Sequence, residues 1–138
     1  MKPIGVAGAV AALGLLSACA ERVSLHVYNE TRAPMTCRIM FAHWVELAEE
    51  GIPPDRPFVL HMQRQVEDGA LYVFRNDGRK LMIENLLCGP TVEWWANRSE
   101  IPLLPVRAGR DRGFVAACSD AGGFECHGPG GLEHSRRH

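Results

Sequence analysis

The sequence is short of positive charge. Lys2 and Lys80 are its only lysines, and 15 Lys and Arg stand against 16 Asp and Glu, a formal net charge of −1 at pH 7. No basic surplus is available to neutralise phosphates, so nucleic acid is excluded as a partner. There is no C-x-x-C, and a thioredoxin-like redox centre or a zinc ribbon lacks its ligands. There is no G-x-S-x-G, and no other nucleophile motif replaces it. Neither an internal repeat nor a low-complexity segment is present. With 138 residues and 46% hydrophobic content, the chain supports one globular domain with one core. No catalytic residue and no cofactor is expected.

What is present begins at the N-terminus. Lys2 supplies a short positive region, and residues 4–16 form an uncharged apolar run. Such a run suits a signal h-region and is too short to span a bilayer as a permanent helix. It ends in Leu16-Ser17-Ala18-Cys19. This resembles the lipobox of bacterial lipoprotein precursors, which has an aliphatic residue at −3, small residues at −2 and −1, and the cysteine that becomes the new N-terminus. The resemblance covers the first 19 residues and leaves the domain unassigned. It implies a signal peptide over 1–18, cleavage before Cys19, and lipidation of Cys19 with a membrane anchor facing the periplasm. The residue after Cys19 is Ala20 rather than Asp, which by the same resemblance implies the outer rather than the inner membrane. Ala18-Cys19-Ala20 also satisfies A-x-A, so a plain secretory cut after Ala20 is the alternative. Residues 20–22 then leave only a very short tether, 19–22 counting the lipidated cysteine.

Setting Cys19 aside leaves Cys37, Cys88, Cys118 and Cys126. In an exported chain an even number reads as two disulfides. Three connectivities are possible. Residues 113–118 and 124–127 flank Asp120-Ala121-Gly122-Gly123 as a hairpin, and pairing Cys118 with Cys126 leaves a three-residue loop with a glycine for the left-handed position. That choice leaves Cys37 with Cys88.

Val23, Leu25 and Val27 alternate with polar residues, the mark of a half-buried strand. Residues 35–45 read as a second strand, with Cys37, Ile39, Phe41, His43 and Val45 on one face and Thr36, Arg38, Met40, Ala42 and Trp44 on the other. Residues 46–57 hold Gly51, Pro53, Pro54 and Pro57 and read as a loop with room for one helical turn at 46–50. Residues 58–63 give a third strand. Asp77-Gly78 between apolar runs predicts a two-residue hairpin that sets Phe74 opposite Leu81 and Tyr72 opposite Ile83. Residues 91–99 predict a short helix capped by Thr91, and 101–106, with two prolines, an edge strand or extended segment. The expected fold is all-β: a small antiparallel β-sandwich of about seven strands over 23–128 with an immunoglobulin-like look, a small β-barrel being the alternative. Residues 129–138 are expected to be a disordered tail.

Trp, Arg and Met are enriched where proteins bind one another, so Arg38, Met40, Trp44, Trp94 and Trp95 form the expected binding patch. His26, His43, His61, His127, His134 and His138, with Met35, Met40, Met62 and Met82, could suit Cu(I). No two of them share a tight ligand spacing within one element, so no metal site is assigned. Glu84, flanked by apolar residues, is the one carboxylate with a prospect of burial. The functional expectation is a non-catalytic, membrane-anchored envelope lipoprotein with a protein partner. A copper-binding lipoprotein is the second reading. An envelope enzyme or enzyme inhibitor, acting through the loops at 46–57 or 65–69, is the third.

Overall fold

The computed structural model describes residues 19–131. The signal stretch, Leu16, Ser17 and Ala18 of the lipobox, and the tail with His134 and His138 lie outside the described residues. Among the described residues the order is β1 (Ala20–Asn29), β2 (Met35–Phe41), a 3₁₀ turn (Ala42–Trp44), β3 (Glu46–Ile52), β4 (Pro57–Gln65), β5 (Leu71–Phe74), β6 (Lys80–Pro90), α1 (Trp94–Asn97), β7 (Ser99–Glu100), α2 (Leu104–Ala108), β8 (Gly113–Ser119) and β9 (Glu125–Gly131). Neighbouring strands run β3-β2-β6-β5-β4-β1-β8-β9, with β7 also on β6. The result is an all-β, sandwich-like fold that does not close into a barrel.

The inward face is the one that period-two alternation selects. Val23, Leu25 and Val27 of β1, Cys37, Ile39 and Phe41 of β2, and Phe114, Ala116 and Cys118 of β8 all enter one core. Strand β6 serves both halves of the sandwich. Its first residues pair with β5, and its later ones with β2 and β7. Phe41 pairs with Ile83 but Met40 with Asn85, so Glu84 is an extra residue without an opposite number on β2. The buried set changes phase across this bulge, from Ile83 to Leu86 and Cys88. Bulges bend a strand, and here the bend carries β6 from one layer to the other.

Both expected disulfides are present, Cys37–Cys88 with Cα atoms 4.1 Å apart and Cys118–Cys126 with 4.0 Å. Each joins directly opposed residues of neighbouring strands. By the chain-entropy model the first, closing a separation of 51 residues, contributes about 4 kcal/mol.

Several expectations are corrected. The β1–β8 pair is parallel, so the sheet is mixed rather than purely antiparallel. The second strand stops at Phe41, because His43 takes a left-handed conformation (φ 66°) and turns the chain into β3. Trp44 therefore sits in the 3₁₀ turn, not on the strand face with Arg38 and Met40. Residues 46–52 are a strand, not a loop. Its residues are exposed from Glu46 to Gly51, as suits a charged edge. The 75–79 turn has three residues, not two. The Gly78 amide bonds the Arg75 carbonyl at 3.0 Å, Gly78 adopts φ 83°, and Phe74 comes opposite Lys80 and Tyr72 opposite Met82. This is a type I turn followed by a left-handed glycine, which shifts the register by one. Thr91 does not cap α1; Glu93 precedes it in a left-handed conformation, and the Thr91 hydroxyl meets Thr36 instead. Residues 104–108 form α2, where Pro105 occupies the first turn, the one place in a helix that tolerates it. The sheet also reaches beyond 23–128: β1 starts at Ala20 and β9 runs to Gly131, so the 20–22 tether and the first residues of the expected tail are strand.

Candidate functional site

The site is built on the outer face of the β3-β2-β6 layer. Arg38 points there because Cys37 and Ile39 point inward. Its guanidinium lies over the Trp94 ring at 4.5 Å and over the Trp95 ring at 5.4 Å. Trp94 is pinned flat. Its indole N–H donates to the Thr36 carbonyl at 2.9 Å, and a Cβ added at Gly89 would come within 3.0 Å of the ring. Only a glycine at position 89 leaves room for the indole to lie on the strand. Trp95 meets Trp94 edge-on, with centroids 5.1 Å apart, but is itself 63% exposed. Arg98 completes the group at 5.8 and 5.3 Å from the two rings, and its guanidinium also bonds the Trp95 carbonyl. Each cation–π contact at a surface is worth about 0.5–1 kcal/mol. Together they hold a large indole in place in solvent at low cost in side-chain freedom.

Next to this stack lies a cleft of about 510 Å³ at the β6 bulge, lined by Met40, His43, Val45, Glu46, Glu84 and Asn85. Glu46 links the two features, since it takes the Arg38 guanidinium at 3.0 Å. Its lining combines two carboxylates, Glu46 and Glu84, with the apolar Met40, Phe41 and Val45. Glu84 is exposed, not a buried acid: the apolar residues beside it in sequence belong to two different phases of β6.

The structure thus brings Arg38, Trp94 and Trp95 together and puts Met40 in the adjoining cleft. Arg98 joins them unannounced by the sequence expectations above, its aromatic neighbours three and four positions earlier being the available signal. His43 and His127 are exposed on separate elements, while His26 and His61 lie on the paired strands β1 and β4, two residues apart in register. Met35 and Met62 are core side chains. Among the described residues no three His, Cys, Asp or Glu side chains come together as a metal site. A second cleft, also about 510 Å³, crosses the outer face of the other layer between Ser24, His61, Gln63, Tyr72, Phe74 and Arg112.

Two buried polar side chains tie the ends of the sandwich. Asn29, fully buried, donates to the carbonyls of Ile52 at 2.8 Å and Ala33 at 2.9 Å and accepts from the Thr31 amide and hydroxyl. At the other end of β1, Arg64 donates to the carbonyls of Val106 at 2.8 Å and Asp111 at 3.0 Å and pairs with Glu21 at 2.7 Å. That Arg64 hydrogen bond, with the charges of Arg64 and Arg112, holds the Glu21 carboxyl below the usual glutamate range against an opposing desolvation effect. The Trp94–Trp95 stack belongs to the Asn29 end, through Thr36 and through the Thr91 amide on the Pro34 carbonyl.

Comparison with protein-family models, curated proteins and solved structures finds no match to this chain.

Proposed function

We propose that the chain is a membrane-anchored lipoprotein of the bacterial envelope, held through Cys19 at the periplasmic face of the outer membrane. Its β domain acts as a non-catalytic binding module that engages a protein partner through Trp95, Arg38 and Arg98. The observation that carries the anchor is Leu16-Ser17-Ala18-Cys19 standing directly before β1 in the sequence. Two disulfides suit the oxidising compartment that export implies. The binding role rests on an exposed tryptophan held between two arginines beside a cleft, the residue types and the rigidity that binding hot spots use.

Mass spectrometry of the mature protein from a bacterial host tests the anchor. The expected N-terminal residue is Cys19 carrying a diacylglyceryl group, with Cys19→Ala accumulating as uncleaved precursor; an unmodified N-terminus after Ala20 would contradict it. Cross-linking in envelope membranes tests the binding role. A partner recovered with the native protein is expected to be lost with Trp95→Ala and retained with Phe74→Ala on the other layer. Equal recovery with both variants would move the site away from the stack.

A further inference from the structure

We infer that the end of the sandwich bearing Cys19 is itself a bilayer-contacting surface, with Val66 and Leu104 entering the lipid interface beside the anchor; this rests on the lipoprotein reading. The Val66 amide donates to the Cys19 carbonyl at 3.0 Å. Cys19 is therefore tied by its backbone to the β4–β5 turn, and acyl chains on it would emerge from the folded domain with no free chain between. A lipid so attached brings the neighbouring surface to the depth of the headgroups.

That surface is fixed in shape. Gly69 has φ +73°, and a Cβ there would lie 2.6 Å from the Arg107 carbonyl oxygen, so the β4–β5 turn is pressed onto α2. Arg64 binds the start of β1, α2 and the loop after it into one unit through Glu21, Val106 and Asp111. On this unit two apolar side chains face solvent, Val66 at 59% and Leu104 at 71% exposure. Leu103, which precedes the helix, and Val106 within it are buried, whereas Leu104 is not part of the core. Arg110 and Arg112 are exposed nearby, balanced by exposed Glu67 and Asp68. The end carries no strong charge of either sign, and its affinity for a bilayer comes from apolar burial added to that of the acyl chains. A single anchor leaves a protein free to swing; two apolar side chains on a rigid base would fix it end-on. The ten residues of β1 then carry the Asn29 end roughly 30 Å from the lipid, and the Trp95 stack is presented away from the membrane.

The test uses the native lipidated protein in vesicles of phosphatidylethanolamine and phosphatidylglycerol containing a trace of diazirine-bearing phospholipid. After illumination, labelled peptides are mapped, and the mass of the N-terminal peptide is read in the same run. Expected are an acylated Cys19 and label in residues 64–70 and 103–108, with residues 92–98 unlabelled. Val66→Asp with Leu104→Asp, both solvent-exposed and so compatible with folding, should lower label in those two segments several-fold and leave acylation intact. Acylated protein labelled chiefly at 92–98, or at Phe74 and Met82, overturns the end-on contact while sparing the anchor. Label unchanged by the double substitution also overturns it. An unacylated Cys19 removes the lipoprotein reading and this inference together.

Discussion

The two ends of the sandwich solve the same problem with different chemistry. Each needs the backbone of incoming segments satisfied where the sheet stops, and each uses one buried side chain to do so. At the far end the side chain is Asn29, neutral, with its partners all within the protein core and turns. At the Cys19 end it is Arg64, charged, and its counter-charge Glu21 is about one-third exposed. Both disulfides also serve the far end: Cys118 pairs in register with Asn29, and Cys37 lies two residues from the start of β2. The far end is thus covalent and neutral, and the Cys19 end is non-covalent and ionic. Reduction should loosen one and acid the other.

The largest effect expected is from removing the Cys37–Cys88 bond. Cys37→Ala with Cys88→Ala should cost about 4 kcal/mol in denaturant unfolding, and its amide exchange should rise first around residues 35–41. Asn29→Ala follows, at about 3 kcal/mol, since two carbonyls and the Thr31 hydroxyl lose a buried partner together. Its melting temperature should fall less than that of the disulfide variant and more than that of Arg64→Met. The latter should cost about 2 kcal/mol, because the methionine stem refills the space but the Val106 and Asp111 carbonyls go unmet.

Acid separates the ends without mutation. A carboxyl depressed in the folded state contributes stability that is complete above its unfolded value, about 4.3 for glutamate, and is lost as pH falls through the folded value. Below pH 4, amide protection relative to the intrinsic exchange rate should fall in residues 20–22, 64–70 and 106–111 while that of residues 29–33 holds. Glu21→Gln should remove that acid sensitivity and have a smaller effect at pH 7 than Arg64→Met, because Arg64 keeps its two carbonyls. The smallest effect is expected from Trp95→Ala, within about 0.5 kcal/mol of the native stability, as for exposed positions generally. A larger loss would make Trp95 a structural residue and weaken its role in binding.

The all-β class, the inward faces of β1 and β2, and the Cys118–Cys126 bond were legible because each depends on local alternation or on facing positions in a hairpin; Cys37–Cys88 followed as the remaining pair. What escaped depends on contacts that alternation does not encode. β3 reads as loop because Gly51 and the prolines at 53, 54 and 57 punctuate the stretch, while its exposed Glu46, Glu49 and Glu50 suit an edge strand that avoids unwanted pairing. The β5–β6 register was missed by one because Asn76 joins Asp77 and Gly78 in the turn. Glu84 had a prospect of burial because the sequence shows apolar neighbours but not the bulge that changes their phase; it is the outward-facing strand residue that such a position more often holds. The stack was half visible: the tryptophans and Arg38 could be named, but not that Gly89 lets an indole lie on the strand. Arg64 stood in the inward series after Leu60 and Met62, and extending that period by one step would have found the buried arginine.

The most direct test of the opposed roles of the two ends is hydrogen exchange of the lipidated protein on vesicles, compared in free solution with the unlipidated domain from residue 19 onward carrying Cys19→Ser, which keeps the carbonyl that takes the Val66 amide. Protection on the membrane is expected only in residues 64–70 and 103–112, with residues 91–98 exchanging equally in both states. Protection at 91–98, or none at 64–70, would contradict it.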